Sequence, residues 1–218
     1  MTHLENYITN FRKIFNTILG TQKYPKHRKV ENGVIIQKSK PPSSEDDLRV
    51  ISKTPFMSKL LEAFISEWLL KIISPYLDPD QYGQKGSSIT HYLINFLNFI
   101  YSTLDSKKPM AVVAAFIDMS KAFNRVDHNI LIEDLHSMKC PSWLLKILAS
   151  FLSDRKLVLE HNGVITNPRN LPAGAPAGCL LGQIFFIVKF NSALLRPQIP
   201  RYLLSLSNTK KAKYMDDV

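Results

Sequence analysis

Apolar residues recur at helical spacing in several stretches of the chain. Within residues 1–30 they predict a short amphipathic helix followed by a basic loop, and the positions are Ile8, Phe11, Phe15 and Ile18. Residues 55–75 predict a longer helix, in which Pro55 suits the first helical position and Pro75 ends the pattern. Its apolar residues recur every four positions, at Phe56, Leu60, Phe64 and Trp68. Further helices are predicted over residues 88–104, 127–138 and 141–153.

Extended segments lie between these helices. Residues 34–37 are mostly β-branched, a turn with Pro41 and Pro42 follows, and "LRVIS" resumes the extended pattern. The continuous apolar run "AVVAAFID" has the length of a buried strand and ends at Asp118. "KLVLEHNGVIT" predicts a hairpin with Asn162-Gly163 at its turn, and "AKYMDDV" predicts a strand that reaches a turn. Between those two, "LPAGAPAGCLLGQIFFIVKFNSALL" predicts a glycine-proline loop that leads into an apolar helix.

The composition fits a folded, basic protein. A chain of 218 residues allows one large domain or two small ones, and 45% hydrophobic residues are ample for a packed core. The net charge of +10 favours a polyanionic partner, most simply nucleic acid. Residues 1–40 contain eight Lys or Arg against two acids, and the segment between Glu160 and Asp216 contains seven against none. Two basic flanks suit a groove for a phosphate backbone; a basic surface kept for solubility is the alternative.

Cysteine usage and hydropathy indicate the compartment. Cys140 and Cys179 lie far apart without zinc-type spacing, so we expect a reducing compartment and two small core or helix residues. The start of the chain has no signal-peptide pattern, because "NYITNFRKIF" lacks a long apolar stretch. The most apolar run, "GQIFFIVKF", is too short to cross a bilayer and contains Lys189. We therefore expect a soluble intracellular protein, in the cytoplasm or the nucleus, with no membrane partner.

Three aspartates are candidates for metal binding. Asp118 ends a buried strand, where a carboxylate must be paired, protonated or bound to a metal. Capping a helix that begins at "DMSKAF" is the alternative. Asp216 and Asp217 are adjacent and repel each other, and a turn that presents two such acids often binds a cation. Two strands that each end in aspartate can hold two Mg²⁺ ions about 3.5–4 Å apart, and no His or Cys cluster in the sequence argues for zinc.

The glycine-proline loop lies between these acids. Its Gly174 and Gly178 allow the backbone to approach a ligand closely, and the N-terminus of the following helix favours anionic or polar groups. For the loop alone, an ordinary turn is the alternative. The ordered set is more specific, because an apolar strand to Asp118, a Gly-Pro-Gly loop before a helix and then Tyr-Met-Asp-Asp is hard to assemble by accident.

Together these segments resemble the fingers–palm region of reverse transcriptases, especially those of non-long-terminal-repeat retroelements. "DLRVISKTPFMSKLLE" resembles the fingers segment, "FIDMSKAFNRVDHNIL" the first palm motif, "PAGAPAGCLLG" the second and "YMDD" the third. The likeness covers residues 34–218, and its most specific parts are "AF…VDH" and "YMDD".

The resemblance implies an α/β (α+β) fold in which helices cover a mostly antiparallel palm sheet. It divides the chain into a basic N-terminal extension (1–30), a fingers-like region (31–110) and an incomplete palm (111–218), without a thumb. The implied activity is template-directed nucleotidyl transfer by an RNA-directed DNA polymerase. The implied partners are an RNA template, a DNA primer and deoxynucleoside triphosphates, and the implied cofactor is Mg²⁺, with Mn²⁺ as the alternative ion.

The resemblance also assigns roles to individual residues. The catalytic carboxylates are Asp118, Asp216 and Asp217. The metal ligands are Asp118, Asp216 and the carbonyl of Met119. The residues that contact the incoming nucleotide are Arg49, Ala122, Phe123 and Gly178. The residues that contact nucleic acid are Lys85, Ala177, Tyr214 and Met215.

Two of these roles have ordinary alternatives. Arg49 matches the fingers arginine that contacts the triphosphate, a role that suits the planar guanidinium, but a surface ion pair with Asp46 or Asp47 is the alternative. Phe123 matches an aromatic gate that leaves no room for a 2′-hydroxyl and so selects deoxynucleotides. A plain core position is the alternative for this ring.

Several positions depart from the family pattern. Ala177 stands where glutamine is usual, Gly182-Gln183 where serine-proline is common, and "QYGQKGSS" is shorter than the usual fingers block and carries only Lys85. The third motif stops before the second strand of its hairpin, so we expect a fragment without the remaining palm, primer grip and thumb. The alternatives are an inactive remnant that binds nucleic acid and a viral RNA-dependent RNA polymerase. Phe123 and the Tyr-Met before the acid pair argue against the second alternative.

Overall fold

The computed structural model describes residues 3–37, 41, 44, 47–83, 86, 88–107, 111–114, 122–161, 163–176 and 178–193. These residues form a mixed α/β structure. The helices are α1 (His3–Thr21), α2 (Phe56–Ile73), α3 (Ile89–Leu104), α4 (His128–Ser137), α5 (Ser142–Leu152) and α6 (Leu180–Ala193). The strands are β1 (Val30–Gln37), β2 (Leu48–Lys53), β3 (Lys156–His161), β4 (Val164–Ile165) and β5 (Arg169–Asn170). Single 3₁₀ turns occur at Lys26–Arg28, Ser74–Tyr76 and Phe123–Arg125.

The described strands form one mixed sheet in the order β2-β1-β3-β4, and β5 also pairs with β3. β1 and β2 are antiparallel, with Gln37 opposite Leu48, and β3 is antiparallel to both β4 and β5. β1 and β3 are parallel, with Val30 opposite Lys156. The parallel pair therefore joins the two halves of the chain, since parallel strands need a long connection between them.

Most of the locally encoded elements are confirmed. The predicted hairpin is present, with Glu160 of β3 opposite Ile165 of β4. Ser88 caps α3, because its side chain accepts a hydrogen bond from the amide of His91. Asp127 caps α4 in the same way. The apolar helix after the glycine-proline loop is α6.

Two local predictions are corrected. Pro55 is not the first helical residue, because its backbone is extended (φ −57°, ψ 145°) and its carbonyl accepts the amides of Ser58 and Lys59 as a capping residue does. Residues 111–114, the start of the predicted apolar strand, are not in a strand, since no described strand pairs with them, and Val113 is 91% exposed. The rest of that strand and the predicted strand over 212–218 lie outside the described residues.

α2 carries two apolar stripes. Along the stripe that the sequence singled out, Phe64 and Trp68 pack on Phe15 of α1, with ring centroids 5.4 Å and 5.6 Å apart. The stripe that enters the core is the neighbouring one, and its buried residues are Leu61, Ile65, Leu69 and Ile73. α2 therefore contacts α1 through one stripe and the core through the other, and α1 also reaches the core through its buried Ile18.

The core fixes the position of α6. α2 packs against α6, and α4 packs against both α5 and α6. The residues buried at these contacts include Leu131, Leu135, Leu144, Leu148, Phe185 and Val188. Each fully buried leucine or phenylalanine contributes about 1.5–3 kcal/mol relative to an exposed one. α6 is therefore held by apolar contacts on several sides.

A buried ion pair joins the sheet to the end of α5. Glu31 of β1 is 4% exposed and Arg155, just before β3, is 3% exposed. Nε of Arg155 donates to Oε1 of Glu31 over 2.6 Å, and the hydroxyl of Ser52 in β2 donates to Oε2 of Glu31. The guanidinium lies over the ring of Phe151, 4.2 Å from its centroid, and donates to the carbonyl of the same residue. Both charges are thus paired and hydrogen-bonded, which a buried ion pair requires.

Replacing Arg155 by methionine is expected to lower the free energy of unfolding by about 3–5 kcal/mol, because it leaves the carboxylate of Glu31 buried without a cation. The matched control is Glu67→Gln, which breaks an exposed i,i+4 pair with Lys71 (3.1 Å) and should cost less than about 1 kcal/mol. Urea unfolding measures both values. If the two variants lose the same free energy of unfolding, the buried pair stabilises the protein no more than the exposed pair does.

Candidate active site

The predicted site residues divide into two sets. Those outside the described residues are Lys85, Asp118, Met119, Ala177, Tyr214, Met215, Asp216 and Asp217. Those inside are Arg49, Ala122, Phe123 and Gly178. The convergence of the three aspartates therefore stays a prediction. The described residues show how the segments that surround them are arranged.

One end of the glycine-proline loop is fixed to the turn that follows Asp118 in the sequence. The carbonyl of Phe123 accepts the amide of Ala175 over 2.8 Å, and the carbonyl of Val126 accepts the amide of Gly174 over 2.9 Å. Nε2 of His128 donates to the carbonyl of Gly174, also over 2.9 Å. The loop and this turn are thus one hydrogen-bonded unit.

The ring of Phe123 is oriented by α6. It stacks on Phe186, with centroids 4.5 Å apart and planes 13° from parallel, and Phe186 stacks in turn on Phe190. Phe123 is half-buried, and Ala122 immediately precedes the 3₁₀ turn. A ring stacked on one face cannot swing freely, so its remaining surface has a defined direction.

The other end of the loop lies against β2. Gly178 has φ 92°, a conformation that side chains other than glycine rarely adopt. A Cβ atom at this position would lie 3.0 Å from the carbonyl oxygen of Ser52 and 3.5 Å from Cγ2 of Ile51. β2 is also the strand that carries the exposed Arg49. The loop therefore contacts both the turn with Phe123 and the strand with Arg49.

The first turn of α6 is hydrogen-bonded within the protein. The amide of Leu180 donates to Oε2 of Glu62, a residue of α2, over 3.1 Å. The amide of Gly182 donates to Sγ of Cys179 over 3.1 Å, so the cysteine acts as the helix cap. The sequence predicted that the N-terminus of this helix favours an anionic or polar group. In the structure, the group that accepts the amide of Leu180 is the carboxyl of Glu62.

Sequence reasoning missed Glu62. It is buried in the middle of an apolar helix, with Ser58 and Ser66 one turn away on either side, and all three lie on the buried face. The available signal in the sequence was the spacing of Ser58, Glu62 and Ser66, which recur every four positions within a mostly apolar helix. Burial raises the pKa of Glu62, while Cys179, Arg155 and the amides of Leu181 and Leu180 act in the opposite direction.

Both cysteines are buried free thiols, as predicted for core residues. Burial raises the pKa of Cys140 to about 11 and that of Cys179 well above its ordinary value. The thiol of Cys179 therefore stays protonated near neutral pH, and it donates to the carbonyl of Pro176 over 3.3 Å. Both thiols are consistent with a structural role.

Gly182 explains one departure from the family pattern. A Cβ atom on this residue would lie 2.2 Å from the carbonyl oxygen of Pro176, a backbone atom that cannot move without moving the loop. Serine, which is common at this position in the family, would meet the same oxygen. The close approach of loop and helix in this chain thus requires glycine.

Among the described residues, no group of three or more His, Cys, Asp or Glu side chains is arranged to hold a metal ion. Nor does any helix in the described ranges combine the length and the apolar character needed to cross a membrane. The predicted oxygen ligands of Mg²⁺ all belong to residues outside these ranges.

Gly182→Ala is expected to lower the free energy of unfolding by about 1–3 kcal/mol, because the added methyl group overpacks the contact with Pro176. The control is Gly20→Ala in α1, where no atom lies within 4 Å of the added Cβ and helix propensity favours alanine by up to about 1 kcal/mol. Urea unfolding should therefore show changes of opposite sign. A Gly182→Ala protein as stable as the Gly20→Ala protein would contradict the close contact.

Known proteins match this sequence over most of its length. A probable RNA-directed DNA polymerase from transposon BS of Drosophila melanogaster is 31% identical over 209 residues, which cover 94% of this chain and 22% of that protein. An RNA-directed DNA polymerase from the mobile element jockey of the same species is 29% identical over 181 residues, covering 80% of this chain and 19% of that protein. A probable RNA-directed DNA polymerase from transposon X-element is 27% identical over 211 residues, covering 94% and 22%. The chain spans about a fifth of the length of these relatives.

A family profile gives the same result. The profile described as reverse transcriptase (RNA-dependent DNA polymerase) matches residues 36–218. This range contains β2, the turn with Phe123, the glycine-proline loop and the tail with Asp216. The resemblance to reverse transcriptases of non-long-terminal-repeat retroelements is therefore confirmed, and the chain belongs to the reverse transcriptase (RNA-dependent DNA polymerase) family.

Proposed function

We propose that this chain is the fingers–palm part of an RNA-directed DNA polymerase, which adds deoxynucleotides to a DNA primer along an RNA template. The observation that supports this proposal best is the glycine-proline loop, whose two ends contact the turn with Phe123 and the strand with Arg49. Residues assigned to the incoming nucleotide from three distant parts of the sequence thus lie on elements that touch one loop. Family membership and the names of the relatives favour DNA synthesis over the RNA polymerase alternative.

The catalytic carboxylates in this proposal are Asp118, Asp216 and Asp217. Mg²⁺, or Mn²⁺ in its place, fits the donor set of Asp118, Asp216 and the carbonyl of Met119, because hard divalent cations prefer oxygen ligands. When bound, such a pair of ions supplies charge neutralisation for the triphosphate and a lower pKa for the primer 3′-hydroxyl. Asp118, Asp216 and the carbonyl of Met119 would hold the cations, so the two carboxylates must approach each other from the two ends of the palm sequence.

The remaining residues position the substrates. Arg49 points its guanidinium fork at the triphosphate, a geometry that suits phosphate oxygens. Phe123, held by its stack on Phe186, lies under the sugar with Ala122 beside it, and Gly178 lets the loop backbone approach the nucleotide. The proposed contacts with template and primer come from Lys85, Ala177, Tyr214 and Met215. A basic chain of net charge +10 suits this polyanionic partner.

Asp118→Ala is expected to lower nucleotide incorporation by a factor on the order of 10³, because a group that stabilises the transition state is lost. Primer extension on an RNA template with Mg²⁺ measures this loss, both for residues 1–218 and with the reading frame extended beyond Val218. The matched control is Asp105→Ala, which removes an exposed aspartate at the end of α3.

Incorporation that survives Asp118→Ala would remove the assigned role of that residue. Salt-sensitive binding of primer–template without incorporation, in the wild type of both lengths, would favour an inactive nucleic-acid-binding module instead.

Phe123→Val is expected to raise the incorporation of ribonucleotides relative to deoxynucleotides about tenfold or more, because a smaller side chain leaves room for the 2′-hydroxyl. Competitive primer extension with both nucleotide types measures the ratio. Phe64→Val serves as the control, since that ring packs on Phe15 of α1 and lies outside the buried stripe of α2. An unchanged ratio in the Phe123 variant would leave this ring as a core residue only.

A further inference from the structure

Glu62 places a carboxyl group at a core position that has buried apolar residues beside it. It is 1% exposed and lies on the face of α2 that packs against α6, between the buried Leu61 and Ile65. A buried ionisable group lowers stability unless its partners compensate for the lost hydration. An apolar residue would continue the core stripe, so packing alone does not account for a carboxyl here.

The hydrogen bond of Glu62 is directed at the glycine-proline loop. Its Oε2 accepts the amide of Leu180, which lies two residues after Gly178. Its Oε1 is buried and has no hydrogen-bond partner within the described part of the chain. The groups that face this carboxyl from neighbouring elements are Tyr24, Arg155 and Cys179. Burial, together with Glu62, raises the pKa of Tyr24 to about 12, so both Tyr24 and the thiol of Cys179 are neutral near pH 7.

The turn at Gly178 is therefore held between two elements. On one side its backbone lies against the carbonyl of Ser52 in β2. On the other side, the amide of Leu180, two residues further along the chain, donates a hydrogen bond to Glu62 in α2. If the bond to Glu62 were lost, the described restraints left on this turn would be the contact with β2 and the local hydrogen bonds of Cys179 with Pro176 and Gly182.

We propose that Glu62 is a positioning residue, whose carboxyl oxygen fixes the first amide of α6 and thereby sets where the Gly178 backbone meets the incoming nucleotide. This inference rests on the proposed function, because it assigns the nucleotide to the Gly178 turn. Glu62 acts through Leu180 and does not itself touch the substrate. It should therefore affect nucleotide affinity more than the chemical step.

The test compares variants that differ in one atom or group. Glu62→Met removes the acceptor and keeps a similar length, whereas Glu62→Gln keeps an oxygen that can accept the amide of Leu180. Ser66→Ala is the matched control, because Ser66 is buried on the same face of α2 one turn further along and has no hydrogen bond to the loop among the described contacts. Urea unfolding first verifies that each variant folds.

In primer extension, Glu62→Met is expected to raise KM for the deoxynucleotide about tenfold with kcat changed by less than about twofold, the loss expected for one hydrogen bond to a carboxyl group. Hydrogen–deuterium exchange at Leu180 should become faster by about the same factor. Glu62→Gln should remain close to the wild type in both measurements, and so should Ser66→Ala.

The inference is wrong if Glu62→Met leaves KM and the exchange of Leu180 unchanged, or if Ser66→Ala alters them equally. A fall in kcat without a rise in KM would also overturn it. Absence of incorporation by the wild type would count against the proposed function instead. In that case the exchange rate at Leu180 still decides whether Glu62 fixes this turn.

Discussion

The buried ion pair between Glu31 and Arg155 is the constraint on which the described structure depends most. It joins strands from the two halves of the chain at the parallel pairing of β1 and β3. The hydroxyl of Ser52 completes the pair from β2, and the carbonyl of the same residue lies against Gly178. A single buried network therefore connects the sheet to the loop that the family resemblance assigns to the nucleotide. Because an unpaired buried charge is strongly unfavourable, a change of strand register that separated Glu31 from Arg155 would be disfavoured.

A second set of buried polar groups lies between α2 and α6. The carboxyl of Glu62 accepts the amide of Leu180, and Sγ of Cys179 accepts the amide of Gly182. The thiol of Cys179 donates to the carbonyl of Pro176. Hydrogen bonds of this kind are directional, whereas the apolar contacts of Leu61 or Phe185 only require proximity. The core thus brings the helix to the right place, and the polar groups determine where its first turn begins. The position of Gly178 follows from that starting point.

Family membership and the contacts of the glycine-proline loop are independent observations that both support the proposed polymerase function. The profile match and the fly relatives identify the family without describing any contact in this chain. The structure shows that the loop between the predicted acids is bound to the turn with Phe123 and rests on the strand with Arg49. The chain spans about a fifth of those relatives, so its activity as a whole polymerase is a proposal built on these contacts. These contacts bring elements from distant parts of the sequence together at one loop.

The sequence by itself determined the local elements and the family. Helical periodicity, capping residues such as Ser88 and Asp127, and the hairpin between β3 and β4 depend on neighbours a few residues away, so they can be read from short windows. Only the tertiary structure decided which stripe of α2 enters the core, because Phe64 and Leu61 are equally apolar and differ in what packs against them. The same holds for the parallel register of β1 and β3, for the carboxyl of Glu62 at the start of α6 and for the need for glycine at position 182. Each of these depends on a contact between residues far apart in the chain, and no local pattern encodes such a contact.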